Sequence, residues 1–285
     1  MTGRRTFLFA IALAAGIALG ADPSFAGDSR RDSIRVSGGD WGAASPEDIK
    51  IVLTSVFEAL AGDFPRHAAD RIVVERSKSG PSVLAQKSGD GAYRVLLDVN
   101  DTRWDQFAYQ FSHELCHIFT NFEHREVALA AARDHQWFEE AVCEAMALIG
   151  LEKVADRWER MPPYPHWRAY APVFLEYESR LLAQAHRGLL PGVSLAAWFR
   201  ANRAELERDP YVRSKNEVMA SALIVLLRQA PAEVEALGYL NLATPASAGD
   251  FSEYLEVWSN NCPPRCRTFV ARLRSLIEGA GARGA

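Results

Sequence analysis

Trp104-Asp-Gln-Phe-Ala-Tyr-Gln-Phe-Ser-His-Glu-Leu-Cys-His-Ile-Phe119 is the stretch on which the reading of this chain turns. It holds no Gly or Pro, and Phe107, Phe111, Leu115, Ile118 and Phe119 recur at helical spacing, so it predicts a helix. From Gln110 to Phe119 the only formal charge is Glu114. That suits a helix buried on most sides, where only paired or metal-bound polar groups are tolerated. Within it, His113-Glu114-Leu115-Cys116-His117 has the form H-E-x-x-H. Residues four apart share a helix face, so both imidazoles can reach one metal ion. Glu114 lies about 100° round the helix, close enough to act on a water at that ion. The bland alternative is a core helix with two polar residues turned to solvent.

Upstream, Ser45-Pro46-Glu47-Asp48 is a helix start, with Ser as N-cap, Pro at the first position and acids in the first turn. That helix is expected to reach about Ala61 and to end at Gly62. Residues 71–75, 82–86 and 93–99 read as short strands separated by Gly-containing turns. Asn100-Asp101-Thr102 is expected to cap the motif helix. Downstream, helical patterns fall near 124–132, 137–150, 169–187, 194–206, 213–229, 247–259 and 265–278, punctuated by prolines. Strands first and helices after predict an α+β fold: a small N-terminal antiparallel or mixed sheet with the motif helix, then a mostly helical half. The expected division is a signal peptide over 1–26, a flexible leader over 27–44, a catalytic core over 45–150 and a helical subdomain over 151–285.

The N-terminus points to export. Arg4-Arg5 precede an uncharged run from Thr6 to Ala21, and Ser24-Phe25-Ala26 offers small residues for cleavage, as in a secretory signal peptide. The run is short for a membrane span. Arg4-Arg5-Thr6-Phe7-Leu8 also resembles a twin-arginine signal, with ordinary Sec export as the other route. A periplasmic or secreted protein without stable membrane insertion follows. The net charge of −4 includes no basic stripe, so no nucleic acid partner is expected. The four cysteines would then lie in an oxidising compartment. Cys262-Pro-Pro-Arg-Cys266 looks like a local loop closure, and a Cys116–Cys143 bridge would staple two helices of the site. Buried thiols are the alternative, and four cysteines allow three pairings. Nothing in the sequence sets an oligomeric state.

A catalytic zinc site usually has three protein ligands and a water. The metzincin pattern would need Gly at 120 and His at 123, where Thr120 and Glu123 stand; His124 is one residue off. Asp134 has no supporting context. The remaining segment is Trp137-Phe138-Glu139-Glu140-Ala141-Val142-Cys143-Glu144-Ala145. Periodicity alone does not single out one acid. The apolar face centres near Ala141, Ala145 and Leu148, with Glu144 nearer it than Glu140 and Glu139 furthest away.

This segment resembles the W-x-N-E-G-x-A-E signature of gluzincins, the zinc metallopeptidases that include thermolysin-like and aminopeptidase-N-like enzymes. The resemblance covers roughly residues 93–150, with Glu139 in place of Asn and Ala141 in place of Gly. It implies a zincin-like core in which His113, His117 and Glu140 hold one Zn²⁺ per chain and Glu114 is the general base. It also implies an oxyanion donor from the helical half, for which Tyr211 is the candidate, with Tyr164, Tyr170 and Tyr177 as others. It further implies that the strand over 93–99 binds extended substrate. The expected function is therefore an exported zinc metallopeptidase acting on a peptide or protein substrate. The alternatives are a catalytically silent zincin-fold module that binds peptide or an envelope partner, and a zinc hydrolase of a non-peptide amide. Retention of Glu114 weighs against the silent module, which would not need it.

Overall fold

The computed structural model describes residues 33–127, 135–242 and 250–279. The expected signal peptide lies outside the described residues. Four strands, β1 (Ile34–Val36), β2 (Ile72–Arg76), β3 (Ser82–Leu84) and β4 (Tyr93–Leu97), form one mixed sheet in the order β1-β2-β4-β3. β1 and β2 are parallel, as are β2 and β4, while β3 runs antiparallel to β4. The α+β class is thus as expected.

Two expectations about this half are corrected. Part of the presumed leader is built into the fold: β1 pairs Ile34 with Ile72, and Ile34, Trp41 and Ala44 are buried. A three-residue strand is too short to show a period of two, so the sequence hides it. The motif helix also starts without a side-chain cap, at Arg103. Asp101 instead takes a left-handed conformation (φ 58°) and accepts the Ala43 N–H at 2.9 Å, tying the segment after β1 to the start of that helix.

The first helix, α1 (Pro46–Leu60), is capped as its sequence predicts: Ser45 Oγ accepts the Asp48 N–H at 3.0 Å. The motif helix α2 spans Trp104–Phe119, and a short α3 spans Phe122–Val127. The 25-residue α4 (Gln136–Arg160) follows and packs along α2. Residue 150 falls inside α4, and one hydrophobic cluster includes residues from both sides of it. Then come α5 (Ala171–Leu182), α6 (Leu195–Arg208), α7 (Arg213–Gln229), α8 (Phe251–Asn261) and α9 (Pro264–Glu278). The 25 residues of α4 are enclosed by α1, α2, α5 and α7, so this helix is apolar on most sides. Among the described residues no helix is long and apolar enough to cross a membrane.

Phe107, Phe111, Leu115, Ile118 and Phe119 of α2 are all fully buried. Each contributes about 1.5–3 kcal/mol of stabilisation as an upper estimate. Their sum outweighs the several kcal/mol that burying polar groups on the same helix would cost. The helix can therefore present Glu114 and His117 to the interior without losing its place. The crossing of α2 and α4 is close at one point. A Cβ on Gly150 would stand 2.7 Å from Ser112 Cβ, so only glycine permits this approach one residue before His113.

Candidate metal centre

His113 and His117 project from α2 four residues apart, their rings 5.1 Å between centroids and inclined at 66°. Glu140, on the second turn of α4, turns one carboxylate oxygen to both. Its Oε2 lies 3.4 Å from His113 Nε2 and 3.6 Å from His117 Nε2. Ligands about 2.0–2.1 Å from a tetrahedral zinc stand about 3.3–3.4 Å from each other. The observed spacings come within a few tenths of an ångström of that edge, so two imidazoles and a carboxylate fit a zinc ion in both chemistry and separation.

The surroundings favour a cation as well. Burial pushes the Glu114 carboxyl above the usual carboxylate range, with the two imidazoles opposing and Glu140 adding to the rise. The Val83 N–H also donates to this carboxylate. Burial likewise disfavours charge on Glu140, yet His117 and His113 outweigh it and hold that carboxyl well below its ordinary value. Burial opposes charging of both imidazoles, but the neighbouring carboxylates raise them above the ordinary histidine value, His117 strongly. Carboxylates converging on two imidazoles in a buried setting need positive charge, and a divalent ion supplies it.

Each histidine is backed by a carboxylate. His117 Nδ1 lies 2.6 Å from Glu139 Oε1. Glu139 is completely buried, and its other oxygen accepts from Asn241 Nδ2 at 2.7 Å. Asn241 Nδ2 also donates to Thr120 O, and Tyr254 donates its hydroxyl to Asn241 Oδ1 at 3.0 Å. Glu139, expected to lie furthest from the apolar face, is thus among the most buried acids. The helix has no solvent side there, because the segment carrying Asn241 closes over it.

Behind His113, Glu144 Oε2 lies 3.8 Å from Nδ1. Glu144 accepts the Tyr109 hydroxyl at 2.5 Å and buried Arg187 at 2.6 Å. Arg187 also reaches Glu217 at 3.1 Å, and Glu217 is held by Arg213 at 2.8 Å and by His186. Glu144 is thereby committed to supporting contacts. Of the two acids left open by periodicity, Glu140 is the one that meets both Nε2 atoms. Glu139, Arg187 and Asn241 were not singled out from the sequence. Only a three-dimensional neighbour distinguishes them from ordinary polar residues.

A cavity of about 470 Å³ opens over these groups. β3 and its flanks, residues 81–85, form one wall; Tyr211, Arg213 and Glu217 from the helical half line it elsewhere. Tyr211 therefore reaches the cavity, as do His113, Glu114, His117 and Glu140. Tyr164, Tyr170 and Tyr177 are not among the lining residues, and Tyr170 donates its hydroxyl to Asp105 instead. The strand expected to bind substrate is corrected: β4 is enclosed by β2 and β3, so its edges are taken. The edge strand facing the cavity is β3.

Cys116, Cys143, Cys262 and Cys266 are all buried and unbonded. Cys116 and Cys143 are hydrogen-bonding neighbours across α2 and α4, and burial with that contact pushes the Cys143 thiol well up. Cys262 and Cys266 do not close the expected loop. Cys262 ends α8, Cys266 lies in the first turn of α9, and burial pushes the Cys262 thiol up to about 12.

No family model, curated protein or solved structure matches this chain.

Proposed function

We propose that this protein is an exported zinc-dependent metallopeptidase that hydrolyses peptide bonds, with Glu114 as general base. The observation that carries the proposal is the convergence of His113 Nε2 and His117 Nε2 on one Glu140 oxygen, beside Glu114, in a cavity large enough for a peptide segment. A zinc ion held by these three residues would polarise the scissile carbonyl and lower the pKa of an attacking water.

The chain's own residues account for the rest. Glu114 takes the proton of the attacking water and delivers it to the leaving amine; a carboxyl raised by burial is suited to doing both. Glu139 fixes the ring orientation of His117 through a hydrogen bond, and Glu144 places a carboxylate 3.8 Å behind His113. Among the described residues β3 is the edge strand along the cavity, which an extended peptide can join by main-chain hydrogen bonds. Tyr211, or Arg213 beside it, supplies a donor to the oxyanion that forms at the scissile carbonyl. Export through the Arg4-Arg5 leader puts this activity in the periplasm or outside the cell.

The test is metal analysis of the purified mature chain, followed by cleavage of a quenched peptide library. About one zinc per chain is expected. Glu114→Gln should keep the metal and lose turnover. A folded protein that takes up no zinc would end the proposal. A zinc-loaded protein that binds peptides without cleaving them would make it a binding module instead.

A further inference from the structure

Gln136 begins α4 and is buried, one turn ahead of Glu140 and two ahead of Glu144. Positions 136, 140 and 144 form one stripe of the helix, and all three line the cavity. Helical side chains lean toward the N-terminus, so the Glu140 carboxylate tilts toward Gln136. The Gln136 side chain leaves the stripe for the opposite wall, where its Nε2 donates to the Tyr211 hydroxyl oxygen at 2.6 Å.

The loop carrying Tyr211 is pinned at two other points. Asp209 Oδ1 accepts the Tyr211 N–H at 3.0 Å, and buried Asn216 donates to Pro210 O at 2.7 Å. The tyrosine itself is 67% exposed, so packing does little to place its ring. The hydrogen bond from Gln136 is what brings the phenol oxygen to the ligand-bearing face of α4.

A phenol has one proton to give and lone pairs to accept with. With Gln136 donating into a lone pair, the Tyr211 proton stays uncommitted, and among the described residues it has no acceptor of its own. An acceptor at position 136 would draw that proton away; the amide N–H leaves it for a ligand.

We infer that Gln136 is a positioning residue: it holds Tyr211 over the metal-binding face and keeps the phenol proton free for the oxyanion of the substrate. The inference rests on the peptidase reading above and names a residue that neither the H-E-x-x-H motif nor the acidic segment contains.

The test uses the zinc-loaded full chain and the best-cleaved quenched peptide. Tyr211→Phe should lower kcat by about 100-fold, the usual cost of one oxyanion donor. Gln136→Met, neutral and of similar length, should lower kcat about 3- to 10-fold with KM unchanged, the scale of one net hydrogen bond. Gln136→Lys, which restores a donor, should recover most of that loss, and Gln136→Glu should not. In a Tyr211→Phe background, Gln136→Met should add nothing further.

A second readout needs no turnover. In protein labelled with 3-fluorotyrosine, the ¹⁹F signal missing from Tyr211→Phe should shift in Gln136→Met, with or without zinc. An unmoved signal, or a moved signal with wild-type kcat, overturns the role of Gln136 while leaving the peptidase intact. A kcat loss that persists undiminished without Tyr211 also overturns it. If the zinc-loaded wild type neither cleaves peptides nor binds a phosphinic peptide, the peptidase reading falls and takes this inference with it.

Discussion

His117 Nδ1 and Glu139 Oε1 are 2.6 Å apart, in a place where Glu139 is wholly shielded from water. The contact leaves Nε2 of the ring facing Glu140. It also gives both carboxylate oxygens at this position a partner. One oxygen of Glu139 faces the imidazole and the other accepts from Asn241. Glutamine at 139 could accept only through its single carbonyl oxygen, so its NH₂ would oppose a donor on one side. Glu139→Gln should therefore weaken zinc binding by about 10- to 100-fold, the usual effect of losing a partner behind a metal-binding histidine. Competition with a chromophoric chelator measures it. Unchanged affinity would show that Glu139 serves packing alone.

Glu217, on the helical wall of the cavity, provides a pH-dependent contribution to stability. Burial raises its carboxyl, but Arg213, His186 and Arg187 outweigh that and hold it below the ordinary carboxylate value. A group depressed in the folded state contributes stability above its unfolded pKa, about 4.3 for Glu, and loses it as pH falls through the folded value. The Tm difference between wild type and Glu217→Gln should be full above about pH 5 and shrink as pH falls below about 4. A difference that stays constant across that range would mean Glu217 is not depressed.

The motif helix was legible because its information is local. Five apolar positions at helical spacing and two histidines four apart need no partner to be recognised, and α7 spans 213–229 as its pattern indicates. What could not be read depends on distant contacts. Glu139 meets Asn241 across 102 residues, and Arg187 meets Glu144 across 43. β1 is three residues long and exists through its pairing with β2. The placing of β4 between two neighbours is a property of strand order, which no single strand's sequence reveals.

Cys116 and Cys143 are neighbours across the two helices that carry His113, His117 and Glu140, so their redox state reports the compartment. Buried thiols pushed upward, as Cys143 is, are poor nucleophiles and should resist alkylation in the native fold. Protein made in a reducing cytosol should release four alkylatable thiols on denaturation, matching the unbonded state. Exported protein, folded against an external disulfide as oxidant, should show a linked Cys116–Cys143 peptide. That cross-link should stabilise the fold by about 3–4 kcal/mol in the chain-entropy account. Four free thiols in the exported protein would exclude the staple.

Gly150 ties the packing of α2 against α4 to the site. Glycine inside a helix costs up to about 1 kcal/mol relative to alanine, so replacing it would ordinarily stabilise α4. Here a methyl group would meet Ser112 Oγ and Cβ, well inside contact distance, next to His113. α2 and α4 would have to move apart, and overpacking of this kind costs about 1–3 kcal/mol. Gly150→Ala should thus lower stability by denaturant titration despite its better helix propensity. Because the displaced helices carry His113 and Glu140, zinc affinity should fall with it. Paired substitution with Ser112→Gly removes the clashing atoms and should restore the affinity; failure to do so would separate the helix crossing from the geometry of the metal ligands.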